Sequence, residues 1–134
     1  MAIGTQALID AALVKVATSI PELAVELYPA NPTTFRLNHP TGALLLAYPG
    51  STSGDQVSLC SSDQIRKVRL GWTLVVRQLW GPDGAPSLLD RLRATMTGWA
   101  PEGQRPVQAV SERLLQEDSG LWWYVAEYSY EMWP

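Results

Sequence analysis

The chain is 134 residues long, with 46% apolar residues, 17% charged residues and a net charge of −3. That length suits one domain, residues 1–134, large enough to bury about two-thirds of its unfolded surface. The slight acidity gives no general attraction to nucleic acid, and the single cysteine, Cys60, excludes an internal disulfide.

Residues 5–20 read as an amphipathic helix, since Ile9, Ala12, Leu13, Val16 and Ile20 recur at steps of three and four. Thr5, after Gly4, is the expected N-cap, and Pro21 stops the helix. Asp10 and Lys15 interrupt its apolar run, so this segment reads as neither signal peptide nor membrane span. Residues 23–28 alternate weakly and suit a short strand with Glu22 and Glu26 towards water. A proline-rich connection follows over residues 29–40, and Phe35 and Leu37 are placed to dock it back onto the body. Residues 43–48, ALLLAY, lack any polar side chain before Tyr48 and lie between Gly42 and Pro49-Gly50, which predicts a strand buried on both faces. Residues 50–63 are rich in Ser and Gly and read as a mobile loop, with only Val57 and Leu59 to anchor it.

The strongest pattern is IRKVRLGWTLVVRQL, residues 65–79. Val68, Leu70, Trp72, Leu74 and Val76 fall on one face, and Arg69, Gly71, Thr73 and Arg77 on the other. A period of two over this length predicts one long strand with a buried and a solvated side. Gly81-Pro82-Asp83-Gly84 then makes a turn. Ser87-Leu88-Leu89-Asp90 has the spacing of a capping box, and Leu88, Leu89, Leu92 and Met96 form the apolar stripe of a second helix. Gly98 is its expected left-handed stop, with Pro101 beyond. That helix is expected to lie across the apolar face of the long strand. Residues 107–115 and 121–133 close the chain as two strands joined at Glu117-Asp118-Ser119-Gly120. The fold class is α+β: a mixed, mostly antiparallel sheet of four to five strands flanked by two helices.

Enzyme chemistry finds few residues here. The chain has one His and one Cys, and neither His39 nor Cys60 sits on the motif of a nucleophile–base pair. Metal-ligand spacings such as H-x-x-x-H or C-x-x-C are absent, and the glycines of 81–84 lack the lysine of a phosphate loop. Glu117 and Asp118 read as solvated turn residues. Eight of the ten basic residues lie between Arg66 and Arg113. Arg66, Lys67 and Arg69 among them read as a solvated sheet face or an inter-subunit ion pair, ahead of a patch for a polyanion. The terminal strand, LWWYVAEYSYEMW, says more. Trp122, Tyr124, Ala126, Tyr128, Tyr130 and Met132 share the core face. Trp123, Val125 and Trp133 share the other with Glu127 and Glu131. Either this outer face is bare and forms an interface, or a loop or the first helix covers it.

Several of these segments together resemble the Mu-like bacteriophage tail terminator family. They are ALLLAYPG, the basic start of the long strand, LLDRLRATMTGWAP at residues 88–101, the Trp- and Tyr-rich terminal hairpin, and IDAAL in the first helix. The resemblance implies a virion protein in the neck region of the tail, assembled in the host cytoplasm. There it would form a homo-oligomeric ring, hexameric in that family, on the head-proximal end of the tail tube. It would stop tube growth and dock the head–tail connector. The implied partners are the tail tube protein, the connector and the sheath where one exists, with genome DNA only as passing cargo; no cofactor and no membrane is implied. The candidate subunit contact sets Trp123, Val125 and Trp133 of one copy against Arg69 and Arg77 of the next, an apolar patch bordered by acids meeting a basic face. A neck or head-completion connector is the neighbouring reading. A small peptide- or ligand-binding module, using the aromatic strand as its groove, is the alternative from another class. An enzyme ranks last.

Overall fold

A computed structural model describes residues 3–56, 64–103 and 105–133. Among the described residues, two α-helices and five strands follow one another as α1 (Thr5–Ser19), β1 (Ala24–Leu27), β2 (Gly42–Gln56), β3 (Gln64–Val76), α2 (Ala85–Met96), β4 (Gln108–Asp118) and β5 (Leu121–Met132). The strands form one sheet in the order β1-β2-β3-β5-β4. Only β1 and β2 are parallel; every other pair is antiparallel. The α+β architecture read from periodicity is therefore the fold observed.

The long β3 sits in mid-sheet because its sequence can serve both sides. Val68, Leu70, Trp72, Leu74 and Val76 are buried under the helices. Thr73 and Val75, on the opposite face, are buried as well, so the expected solvated side holds only for the first half of the strand. The strand ends at Val76 rather than at residue 79. Both helices lie on one face of the sheet. From α1 come Leu8, Ile9, Ala12 and Val16; from α2 come Leu88, Leu89, Leu92 and Met96; all join Trp72, Tyr128 and Tyr130 in one core. Full burial of each Leu-sized side chain contributes about 1.5–3 kcal/mol, so this shared core outweighs every polar contact between helices and sheet. The Arg91–Glu22 ion pair, 2.7 Å long and roughly 40% exposed, is screened by solvent and adds little beside it.

The other face is closed without a helix. After a 3-10 turn at Pro32–Thr34, Phe35 and Leu37 pack onto a small cluster of Ala43, Leu45 and Val75. This proline-rich connection is thus a strap, docked as its two apolar residues suggested.

Three local expectations are corrected. Thr5 is the first helical residue, and Gly4 holds the N-cap position without a side-chain bond. The Ser87–Asp90 capping box does not form. Gly84 is the N-cap instead, because the turn folds so tightly that a Cβ there would lie 2.5 Å from the Trp80 carbonyl carbon. Ser87 Oγ turns back to donate to Gly81 O at 3.0 Å, and Pro86 fills a first-turn position whose N–H would have no helical acceptor. Lastly, the chain does not leave the sheet at Gly50. A register shift between Ala47 and Gly50, with Gly50 at φ 142°, lets β2 continue against β3 to Gln56. The rest of the expected loop, residues 57–63 with Val57, Leu59 and Cys60, lies outside the described residues.

Candidate subunit-contact surface

The five residues singled out for a subunit contact fall in three places. Trp123 lies on the strap face of β5, half-buried, with the Phe35 ring edge-on at 5.7 Å and 75°. Its indole Nε1 is buried and has no hydrogen-bond partner among the described residues. Of the two readings of Trp123, bare or covered by a loop, the covered one holds: the chain's own strap lays Phe35 against it. Val125 is half-buried beside it, in register with Thr73 and with Arg113. Trp133 follows the end of β5, about 33 Å from Trp123 at strand spacing. There Arg105 lies over its ring at 4.1 Å. These aromatics do not make one patch.

The basic side is divided too. Arg77 donates from Nε to His39 O and from Nη2 to Leu37 O, each at 3.1 Å. It pins the strap by two carbonyls that β2 and β3 cannot reach. Arg69 is half-buried on the strap face, in register with Gly50 and Ser129. Alternation along β3 splits the basic trio. Arg66 points to the helix face, donating to Thr5 Oγ1 at 3.3 Å and to Tyr48 Oη and Ser51 Oγ at 3.2 Å. Lys67 and Arg69 share the opposite face, so the three do not form one patch.

His39 is structural in its contacts. Its Nδ1 accepts from the amides of Thr41 at 3.2 Å and Gly42 at 3.4 Å. Among the described residues, no three His, Cys, Asp or Glu side chains gather as a metal site would require. The same residues include no helix long and apolar enough to cross a membrane.

One ionised cluster ties the start of the chain to the sheet. Glu102 accepts from the Ile3 amide at 2.7 Å and from the Tyr130 hydroxyl. The Tyr130 bond, then the Ile3 bond, hold the Glu102 carboxyl below its ordinary pKa. Burial and the neighbouring carboxylate push the Tyr130 phenol up. Tyr128, deeper in the core, is raised chiefly by burial, and its hydroxyl has no hydrogen-bond partner among the described residues.

The surface that periodicity did not single out is the sheet margin. Every residue of β4 except Ala109 is exposed, and Val110, Leu114 and Leu115 are 44–50% open. At the opposite margin Leu27 is 50% exposed and Tyr28 38%. Trp80, in the turn before α2, is 73% exposed. An open groove of about 300 Å³ runs between α2 and β4, lined by Pro86, Leu89, Leu114 and Tyr124. A signal for β4 exists in the sequence. Leu114 and Leu115 are adjacent and cannot both face one core, and the strand answers with a register shift between Leu114 and Gln116.

The model of one protein family, described as Gp37 protein, matches residues 13–133. The chain belongs to the Gp37 protein family. It is a bacteriophage protein. The match spans all five strands, α2 and the last turns of α1, so the family model covers the sheet and both of its margins. No curated protein matches this Gp37-family chain.

Proposed function

We propose that this Gp37-family chain is a structural virion protein. In this reading it caps the head-proximal end of the tail tube as a ring, ends tube polymerisation and offers a docking surface to the head–tail connector. One observation carries the reading: a bacteriophage protein of single-domain size leaves the apolar residues of β4 in water, at a sheet margin that a lone subunit does not cover. Such a margin suits a protein that works as one copy among several. The role calls for neither a catalytic residue nor a cofactor. Its partners are further copies of the chain, the tail tube protein, the connector and any sheath, while DNA passes through. The place is the neck region of the virion, after assembly in the host cytoplasm.

The reading is tested by labelling the protein in purified virions and viewing them by electron microscopy. Label at the head-proximal end of the tail is the expected result. Label spread along the shaft, or absent from virions, rules the reading out.

A further inference from the structure

We propose that copies of this chain join head to tail through their two open sheet edges, with β4 of one copy beside β1 of the next and Arg113 facing the neighbour's Glu26. The inference rests on the ring reading above and names the surfaces that would build the ring.

The sheet has two ends, and both are open. Its order puts β1 at one edge and β4 at the other. Among the described residues, neither outer edge is hydrogen-bonded to another backbone segment. Exposed edges of this kind are templates for another strand. Strand direction then decides how two copies can meet. From β1 to β2 the chain direction is kept, and it reverses at each of the three steps to β3, β5 and β4. Hence β1 and β4 run in opposite directions. A second copy related by rotation about an axis along the strands therefore brings its β1 antiparallel to β4, the geometry in which paired strands hydrogen-bond best. Two different complementary edges, repeated head to tail, close into a ring when the rotation allows.

Side chains agree with one register. Glu26 and Arg113 are both exposed and both lie on the strap face, by their pairing with Leu45 and Val125. Among the described residues neither makes an ion pair. Placing them opposite each other sets Val25 beside Leu114 and Leu27 beside Glu112, all on the helix face, so the charge pair and the apolar Val25–Leu114 pair fall on opposite faces of the seam. The groove between α2 and β4 lies on that same face, where the incoming Val25 and Leu27 would seat against its Leu114 wall. A two-fold pairing of β4 with β4 at full overlap would instead set Arg113 against Arg113. Like charges directly opposite are destabilising, so the charges favour the head-to-tail arrangement over an isologous dimer.

The experiment is a charge swap read by sedimentation velocity over a concentration series. It uses the whole chain as wild type, Glu26→Arg, Arg113→Glu and the double variant. Both residues are exposed, so each variant should keep the wild-type melting profile. The wild type is expected to associate. Each single reversal should weaken association at least about tenfold, and the double variant should recover most of the loss. Leu114→Lys, which alters the apolar half of the same seam, should weaken association independently. The proposal is overturned if the single variants associate like wild type, if the double variant is no better than the singles, or if the wild type stays monomeric throughout. These outcomes are separate from the virion labelling. End-labelled tails with unaffected reversals would remove the edge pairing and keep the terminator. A restored double variant of a protein missing from virions would do the opposite.

Discussion

Trp123 shows how a side chain can be assigned to the right face while its neighbour within the chain stays hidden from the sequence. Alternation along β5 places it opposite the helix-covered core. What alternation does not carry is that Phe35, 88 positions earlier, comes to rest edge-on against it. Truncation to Ala removes that contact and opens a gap in a small cluster. Trp123→Ala should therefore destabilise the isolated subunit by about 2 kcal/mol, below the range for a fully enclosed Trp because this one is half-buried. Urea unfolding checks it, and an unchanged midpoint would mean that the strap does not rest on this ring. Glu102 makes a prediction about pH. Its carboxyl is held below the ordinary value of 4.5 by Tyr130 and Ile3. A depressed folded-state pKa adds stability that is present above the unfolded value and is lost as pH falls through the folded one. Unfolding midpoints of the wild type should thus fall on acidification below pH 4.5, and Glu102→Gln should flatten that fall. Parallel curves for the two proteins would remove Glu102 from the acid response.

Among the elements, α2 is where packing can be tested most sharply. Leu92 is fully buried among α2, β3 and β5. An unpaired carboxylate there costs several kcal/mol, comparable to the whole stability of a domain. Leu92→Asp should give no folded protein; a soluble variant with the wild-type melting profile would contradict the placement of α2. The positions of both helices, β3 and β5 could be read from hydrophobic period, because each buries a regular stripe, whereas the edge strands β1 and β4 bury none and are bounded by turn residues instead. Exact ends could not be read. Gly84 caps α2 through a close backbone approach that depends on the Leu79–Gly81 turn, and Ser87 only imitates a cap in sequence. The run of β2 past Gly50 is equally hidden, since SGD-type residues look like loop until β3 supplies partners opposite them. The strap adds a further test. Arg77→Ala frees the carbonyls of Leu37 and His39, at a cost of about 1 kcal/mol. Limited proteolysis should then cut between residues 35 and 40 sooner than in wild type, and an unchanged pattern would show that Phe35 and Leu37 hold the strap alone.

For the molecule as a whole, the aromatic strand drew the sequence reading towards the centre of the sheet. The structure leaves Leu27 and Tyr28 open at one margin and Val110, Leu114 and Leu115 at the other, besides Trp80 in its turn and Val14 on α1. The reason is physical. Period reports which side of a strand is apolar, whereas edge position depends on strand order, which non-local pairings set. Arg113 and Glu26 carry no motif; only the order β1-β2-β3-β5-β4 makes them ends of one sheet. The phage assignment, by contrast, was within reach of the sequence, because loose hydrophobic segments spread over the whole chain carry a family likeness that no single residue does. The most direct test of the terminator role is the length distribution of tails made by a phage lacking this chain, measured by electron microscopy beside the complemented phage. Tails of uncontrolled length without attached heads are the predicted result, and tails of uniform wild-type length joined to filled heads would contradict it.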